Sequence, residues 1–417
     1  MRSLKRKIHF VYCTIIAYLL YACATGNGTI TSTNHAIAIN LDTIKRNQSF
    51  PLSTIFKSLK AIPLDNKEVL ISRIDKMQPY NNHLFILDFL VAKGVFEFDQ
   101  EGKFIKKFGN IGNGPGEYVS CDDFTINEQS KEIYIYDSGY RRINKYDIQS
   151  GKYKGSLNLE KLNCPQRIKV NSGRLYAINS YSLSAPSHPY NILAEINVSN
   201  GEKIGEWMDA DQYNKGSKFP GLSSNFFYSI DENTDLISYG IGDTIMCIRD
   251  GELYPYIVLT GEKVSRKEEI SKEEKQLTDP FMRSRKMFES IMKLRMQDKI
   301  TNISDIYRYK HKLYFECMGA VSYLVEYDEA TGKYSVFDSS SKDDLMFSNP
   351  PGNRSIPVFL NSDKSGVYYF VDVDFLPELK HFATEKGVMS DKVINKEKLE
   401  KLDEDSNPVI LYYEFKK

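Results

Sequence analysis

The densest grouping of residues that could do chemistry is Phe108-Gly109-Asn110-Ile111-Gly112-Asn113-Gly114-Pro115-Gly116-Glu117-Tyr118. Its glycines would let backbone N–H groups converge on an anion, and Pro115 fixes one φ. Glu117 could act as a general base only beside an acid or a metal. Asp123 is the titratable neighbour that the strand pattern brings near, and a pair of carboxylates is what glycoside cleavage needs. No histidine, cysteine or serine lies between Gly109 and Tyr118, so the loop reads either as a tight connector fixing one repeat against the next or as a recognition element, and not as a catalytic centre. Arg73, Asp123, Arg167, Asp305 and Arg354 fall on or just before apolar segments. With Glu117 and Tyr118 they form the set of candidate ligand-binding residues. There is no Gly-x-Ser-x-Gly elbow, Walker loop or Cys-x-x-Cys pair, the motifs that would carry nucleophilic, nucleotide or redox chemistry. The six histidines are scattered. No catalytic residue, metal or cofactor is therefore assigned.

Cys23 carries a different chemistry. Arg2, Lys5, Arg6 and Lys7 precede an uncharged run from Ile8 to Ala22, which is too short to span a bilayer and reads as a secretory signal. The run ends Leu19-Leu20-Tyr21-Ala22-Cys23, similar to a bacterial lipobox with Cys23 as the acylated residue. Acyl chains on that thiol would anchor the protein to a membrane, each buried methylene contributing about 0.8 kcal/mol. Residues 1–22 are thus the expected signal and 23–49 the expected tether. No acidic residue lies between Ala24 and Asn34, which points to an outer-membrane lipoprotein facing the periplasm.

The elements that must position these residues show themselves as a repeat. Gly102, Gly151, Gly201 and Gly251 recur at 49, 50 and 50 residues, and Gly332 follows after an insertion. Each ends a unit of two apolar strands, the second closing on Asp or Asn, as in Val95-Phe96-Glu97-Phe98-Asp99 and Ile143-Asn144-Lys145-Tyr146-Asp147. The turn glycines supply positive φ. An upstream strand completes each unit, at Ile71 to Met77, Asp123 to Ile126, Arg167 to Val170, Phe226 to Ile230 and Ile303 to Tyr307. Four strands per fifty residues is the blade of a β-propeller. A sixth unit begins near Ile356, and Val409 to Phe415 with Leu59 to Leu64 would close the ring in one shared blade. The expected fold is all-β, a six-bladed β-propeller over residues 50–417. A helical insertion is expected at about 265–299, between blades four and five. There Ser265 to Glu268 has capping-box spacing, Asp279-Pro280 opens a second helix, and Met287, Ile291 and Leu294 form its apolar stripe.

With the upstream strand innermost, the Gly109–Tyr118 connection falls on the face opposite the first turns, and that face is the expected ligand mouth. His83 and His311 sit in first turns, on the other face, leaving His188 and His381 as the histidines that could reach it. Asp88, Asp137 and Asn179 end equivalent strands and read as strand terminators. The 55 basic and 55 acidic residues cancel, which argues against nucleic acid or another polyanion held by bulk charge.

Ile62-Pro63-Leu64-Asp65, the stretch from Phe98 to Ile105, the Gly109–Tyr118 loop and Asn407-Pro408-Val409-Ile410 together resemble the six-bladed, NHL-like β-propeller lipoproteins of Gram-negative gut anaerobes. The resemblance runs from about Phe50 to Phe415. It implies the fold and an envelope location, and no activity. The expected function is a non-catalytic binding or scaffold propeller, held to the membrane by its lipid and meeting envelope proteins or glycans. The alternative is a lyase or hydrolase acting on glycans or lactones.

Overall fold

A computed structural model describes residues 36–43, 50–159, 165–179, 191–215, 225–269, 280–338, 343–348 and 358–417. Six four-stranded antiparallel sheets, one of them extended by a fifth, parallel strand, form the six blades of a propeller. Blade one holds Lys76–Tyr80, His83–Asp88, Gly94–Asp99 and Phe104–Phe108; blade two runs from Asp123 to Asn158 and blade three from Pro165 to Asp209. Blade four runs from Phe227 to Thr260, and blade five from Asn302 to Asp338. Blade six combines Val358–Ser362, Gly366–Val371 and Val409–Phe415 with Phe56–Pro63, which pairs antiparallel along Val409–Phe415. The ring is therefore closed by strands from both ends of the domain, as the sequence predicts.

The repeat has a local cause in each blade. Gly102, Gly151, Gly201, Gly251 and Gly332 all have φ between 69° and 83°, the left-handed region. The preceding Asp or Asn caps the same turn: Asp99 Oδ1 accepts from the Glu101 and Lys103 N–H groups, and Asp328 Oδ1 from those of Ala330 and Thr331. Asp88 and Asp137 are fully buried terminators. Asp88 binds the Ser72 and Val91 N–H groups, and Asp137 those of Val119, Ser120 and Tyr140, tying each incoming connection to the next loop.

Three segments depart from expectation. The first strand of blade one starts at Lys76, not Ile71: Ile71 N–H donates to Asn407, while Ser72 N–H donates to Asp88 and Asp75 N–H to Leu87 C=O at the end of the blade's second strand. Ile37–Asn40, expected as tether, pairs parallel with Ile257–Thr260 on the outer edge of blade four. The chain then passes blade five, where Phe50 meets Tyr314 and Phe337, before entering blade six. The described residues 37–43 and 50–63 thus reach three blades, and such a strap needs only a few apolar side chains. Finally, residues 372–408 leave blade six as an excursion with helices at Leu376–Thr384 and Lys396–Leu399, burying Leu376, Leu379, Ala383 and Leu399. In the expected insertion the helix Pro280–Met296 is present, with Ile291 and Leu294 buried on Ile241; of the first expected helix only the turn Lys267–Glu269 lies within the described residues.

Candidate functional site

The first strands of the blades line the ring axis, so each presents an unpaired edge to it. Polar side chains from neighbouring blades satisfy those edges. Gln78 accepts from Ile126 N–H at 3.3 Å, Thr125 from Val170 N–H at 3.0 Å, and Asn361 donates to Met77 C=O at 2.9 Å. Ser238 donates to Ile303 C=O at 2.8 Å. A buried backbone group without a partner is costly, so much of the polar lining is structural.

Lys76 is the strongest of these stitches. Its ammonium donates to Asp123 at 2.9 Å, to Phe124 C=O at 2.7 Å and to Ile168 C=O at 3.1 Å, joining blades one, two and three. Asp123, fully buried, also accepts from Ile168 N–H at 2.6 Å. Burial pushes the Lys76 ammonium down to about 8, against the pull of Asp123 and helped by the nearby charges of Arg167 and Lys169.

A cavity of about 580 Å³ opens on the axis above this layer. It lies on the face of the first turns, opposite the Glu117 face on which the mouth was expected. Its walls come from Gln78–Asn81, 126–129, 169–173, 229–233, Asp235 and 361–364, the strand ends and first turns of blades one, two, three, four and six. Blade five does not reach it. Blades four and six touch in front of blade five: Tyr228 and Phe359 rings are 5.9 Å apart, and Lys364 pairs with Glu232 at 2.5 Å. A smaller void beneath the cavity is lined by Lys76, Arg167 and Lys169 among others.

Within the wall, Asp235 is buried and accepts from Ser229 at 2.6 Å and from Asn171 Nδ2 at 2.8 Å, with Lys169 at 3.4 Å. Asn171 is only 4% exposed, yet its Oδ1 has no hydrogen-bond partner among the described residues. The adjacent Ser172 Oγ is likewise buried and without one. Sequence reading missed these residues. Asn127 and Asn171 both end the first strands of their blades, and comparing those ends would have shown a recurring carboxamide.

The residues expected to bind ligand are mostly committed elsewhere. Glu117 turns inward: its carboxylate accepts from Gly114 N–H at 2.7 Å, and a Cβ at Gly112 would overlap it. Tyr118 is fully buried, its hydroxyl donating to Phe108 C=O at 3.0 Å. The loop is fastened further by Tyr146 on Gly116 C=O and by Arg142 and Asn144 on Glu117 C=O. It is a rigid blade connector, and neither Glu117 nor Asp123 lines the cavity. Arg73 pairs with Asp75 at 2.6 Å outside the axis. Arg167 reaches the lower void. Asp305 sits at a bulge in blade five with φ of 54°, and burial and the Glu316 charge push its carboxyl upward. Glu316 itself is raised to about 7 by burial. Arg354, His188 and Cys23 lie outside the described residues. His83 pairs with Glu97, His311 with Asp328 and His381 with Glu385. Among the described residues, no group of three His, Cys, Asp or Glu side chains is placed to hold a metal ion.

Among solved structures, the chain is similar to a Bacteroides fragilis protein described as exported. The two share 18% identity over 92% of this chain and 100% of the other, with a TM-score of 0.71. A member of the DUF4221 family from Bacteroides vulgatus matches at 11% identity over 87% of this chain and 97% of its own, with a TM-score of 0.49. Among curated proteins, no sequence match reaches significance. The model of one family matches residues 36–414, from the strap on blade four to the closing strand of blade six, and the chain belongs to that family, the domain of unknown function DUF4934.

Proposed function

We propose that this chain is an exported, lipid-anchored envelope protein whose propeller binds a polar ligand or partner group without transforming it, at the axial cavity of the first-turn face. The observation that carries the reading is the cavity itself. Five blades converge on about 580 Å³ of space with a polar wall, in the size range of small-molecule sites. The wall is held by bonds between blades, so little ordering entropy is lost on binding. The basic start, the short apolar run and Leu19-Leu20-Tyr21-Ala22-Cys23 support export and acylation of Cys23.

The test uses the mature chain and a plugged variant, Ser362→Trp, whose new ring must enter the cavity because Ser362 is buried in its wall. Both are screened by native mass spectrometry against small saccharides and short peptides. Compounds that bind the wild type unchanged in mass and fail to bind the plugged variant support the reading. Turnover of a bound compound would overturn it in favour of an enzyme. For the anchor, a fatty-acid probe should label the wild type in cells and leave Cys23→Ser unlabelled.

A further inference from the structure

We propose that the face of the ring opposite the cavity rests on an anionic phospholipid surface, with the helix Pro280–Met296 lying along it. The proposal goes beyond the binding reading above and does not depend on it.

In every blade the second-to-third strand loop and the connection to the next blade lie at the strand ends opposite the first turns. Exposed large apolar side chains gather on that face. Leu90 and Val91 stand in the second-to-third strand loop of blade one, Tyr140 in that of blade two and Val321 in that of blade five. Leu70, Ile111 and Val119 stand in the connections on either side of blade one. Ile105, Ile204 and Ile394 are exposed on the rim of the disc. Among the described residues, no large apolar side chain is exposed in a first turn or in a third-to-fourth strand turn. Single exposed apolar residues are ordinary, but their restriction to one of two faces marks a contact surface.

The helix Pro280–Met296 lies on the same face. It belongs to the connection from blade four to blade five, and its Ile291 and Leu294 pack on Ile241 in the second-to-third strand loop of blade four. Phe288, Met292 and Met296 recur at every fourth residue, along one stripe of the helix, and all three are exposed, Met296 at 84%. Beside the stripe stand Arg285, Lys286 and Lys293, with Glu289 the one acid in the helix sequence. A basic helix that leaves an apolar stripe uncovered is the pattern of a helix lying in a membrane interface. Its cations are favoured on an anionic surface, and its stripe gains an apolar medium that a soluble polyanion does not offer. Lys93 and Arg141, both exposed, repeat the pairing beside Val91 and Tyr140. Among the described residues, no helix is long and apolar enough to cross a membrane, so the contact lies on the surface. The apolar knobs are spread over several blades, which a flat bilayer meets at once, whereas a protein partner needs a continuous patch. An acyl anchor at Cys23 would hold the ring near a bilayer without fixing its orientation, because the chain from Cys23 to Ala36 reaches up to about 50 Å. Seated on the helix face, the ring turns its cavity away from the lipid and leaves it open.

The experiment uses the mature chain made without acyl groups, so that failure of the anchor reading and failure of this proposal are told apart. Co-flotation is measured with vesicles of phosphatidylcholine alone and with vesicles of equal parts phosphatidylcholine and phosphatidylglycerol. Wild type is compared with the double variants Phe288→Gln, Met292→Gln and Lys286→Gln, Lys293→Gln, and with Val91→Asp, each checked for an unchanged melting curve. The expected result is partition onto the anionic vesicles and much less onto phosphatidylcholine. Partition should fall about tenfold in the apolar double variant and about tenfold in the basic one, and should fall also in Val91→Asp. No partition onto the anionic vesicles, or equal partition onto both kinds, overturns the proposal. Partition unchanged by Phe288→Gln, Met292→Gln overturns the role of the helix, and partition unchanged by Val91→Asp overturns the seating of the whole face. Self-association that the apolar double variant abolishes, with no vesicle binding, overturns the proposal in favour of a contact between copies of the chain.

Discussion

Lys76→Met offers the sharpest test of how the ring is held. In the wild type one ammonium binds one oxygen of a fully buried carboxylate and two backbone carbonyls on different blades. Methionine fills the same volume and removes all three bonds. Asp123 then keeps only the Ile168 N–H, at 2.6 Å, and no counter-charge. Stranding a buried charge costs about 3–5 kcal/mol, and each stranded carbonyl about 1–3 kcal/mol more at most. Some of this is recovered because Lys76 is itself held uncomfortably, its ammonium lowered to about 8 by burial. The net expectation is a loss of about 4 kcal/mol in equilibrium urea unfolding at pH 7. In the double variant Lys76→Met, Asp123→Asn the charge is gone, while the asparagine oxygen can still accept from Ile168. About half of the loss should return, so the coupling energy in a double-mutant cycle is about 2 kcal/mol plus whatever Asp123→Asn costs alone. A single variant within 1 kcal/mol of wild type, or a double variant no better than the single, would refute the claim that this contact is the axial clamp.

Other consequences can be checked in the same material. Glu316, raised to about 7 by burial, binds its proton in the folded state at pH values where the unfolded chain has already released it. Its contribution is therefore fully present below its ordinary value near 4.5 and lost as pH rises through 7, so stability should fall over that window by at most about 3 kcal/mol. Glu316→Gln should flatten the slope and raise stability at pH 8, as seen in melts across pH 4 to 8. Deleting Val409 to Lys417 removes the third strand of blade six and should lower Tm by more than 10 °C, as the pairing with Phe56–Pro63 and with Gly366–Val371 is lost together; calorimetry decides. Glu117→Ala should cost about 1–2 kcal/mol through the loop it caps, with no change in ligand affinity by titration calorimetry.

The propeller was legible because its signals are local and repeated. A turn that needs positive φ at Gly102 and a carboxylate cap at Asp99 looks the same in any blade. The closing strand could be read because Val409 to Phe415 is too apolar to stand alone. The strap at Ile37–Asn40 was not legible: four residues carry no period, and parallel pairing leaves no turn beside them. The excursion at 372–408 did carry a signal, since Leu376, Leu379 and Ala383 share a helical face with Pro377 in the first turn. The expectation of a pure blade masked it. The inward turn of Glu117 was not legible, for a physical reason. Gly112 looked like backbone freedom offered to a ligand, whereas its missing side chain makes room for Glu117. The bond that fixes Asn171 on Asp235 is a relation between two blades and has no image in one dimension.

The shared blade also sets an order in time. Lys60 pairs with Tyr412, about 350 residues along the chain, so closing that loop in an otherwise unfolded chain would cost about 5 kcal/mol of entropy. Blades one to five assemble from neighbouring strands and face no such barrier. They can form first and hold the two ends near each other, so that the last pairing closes a short gap. A partly built ring still exposes the open edges of blade six, where Ile62 and Ile410 will be buried. The interval before closure is the stage at which this chain is most open to aggregation or proteolysis.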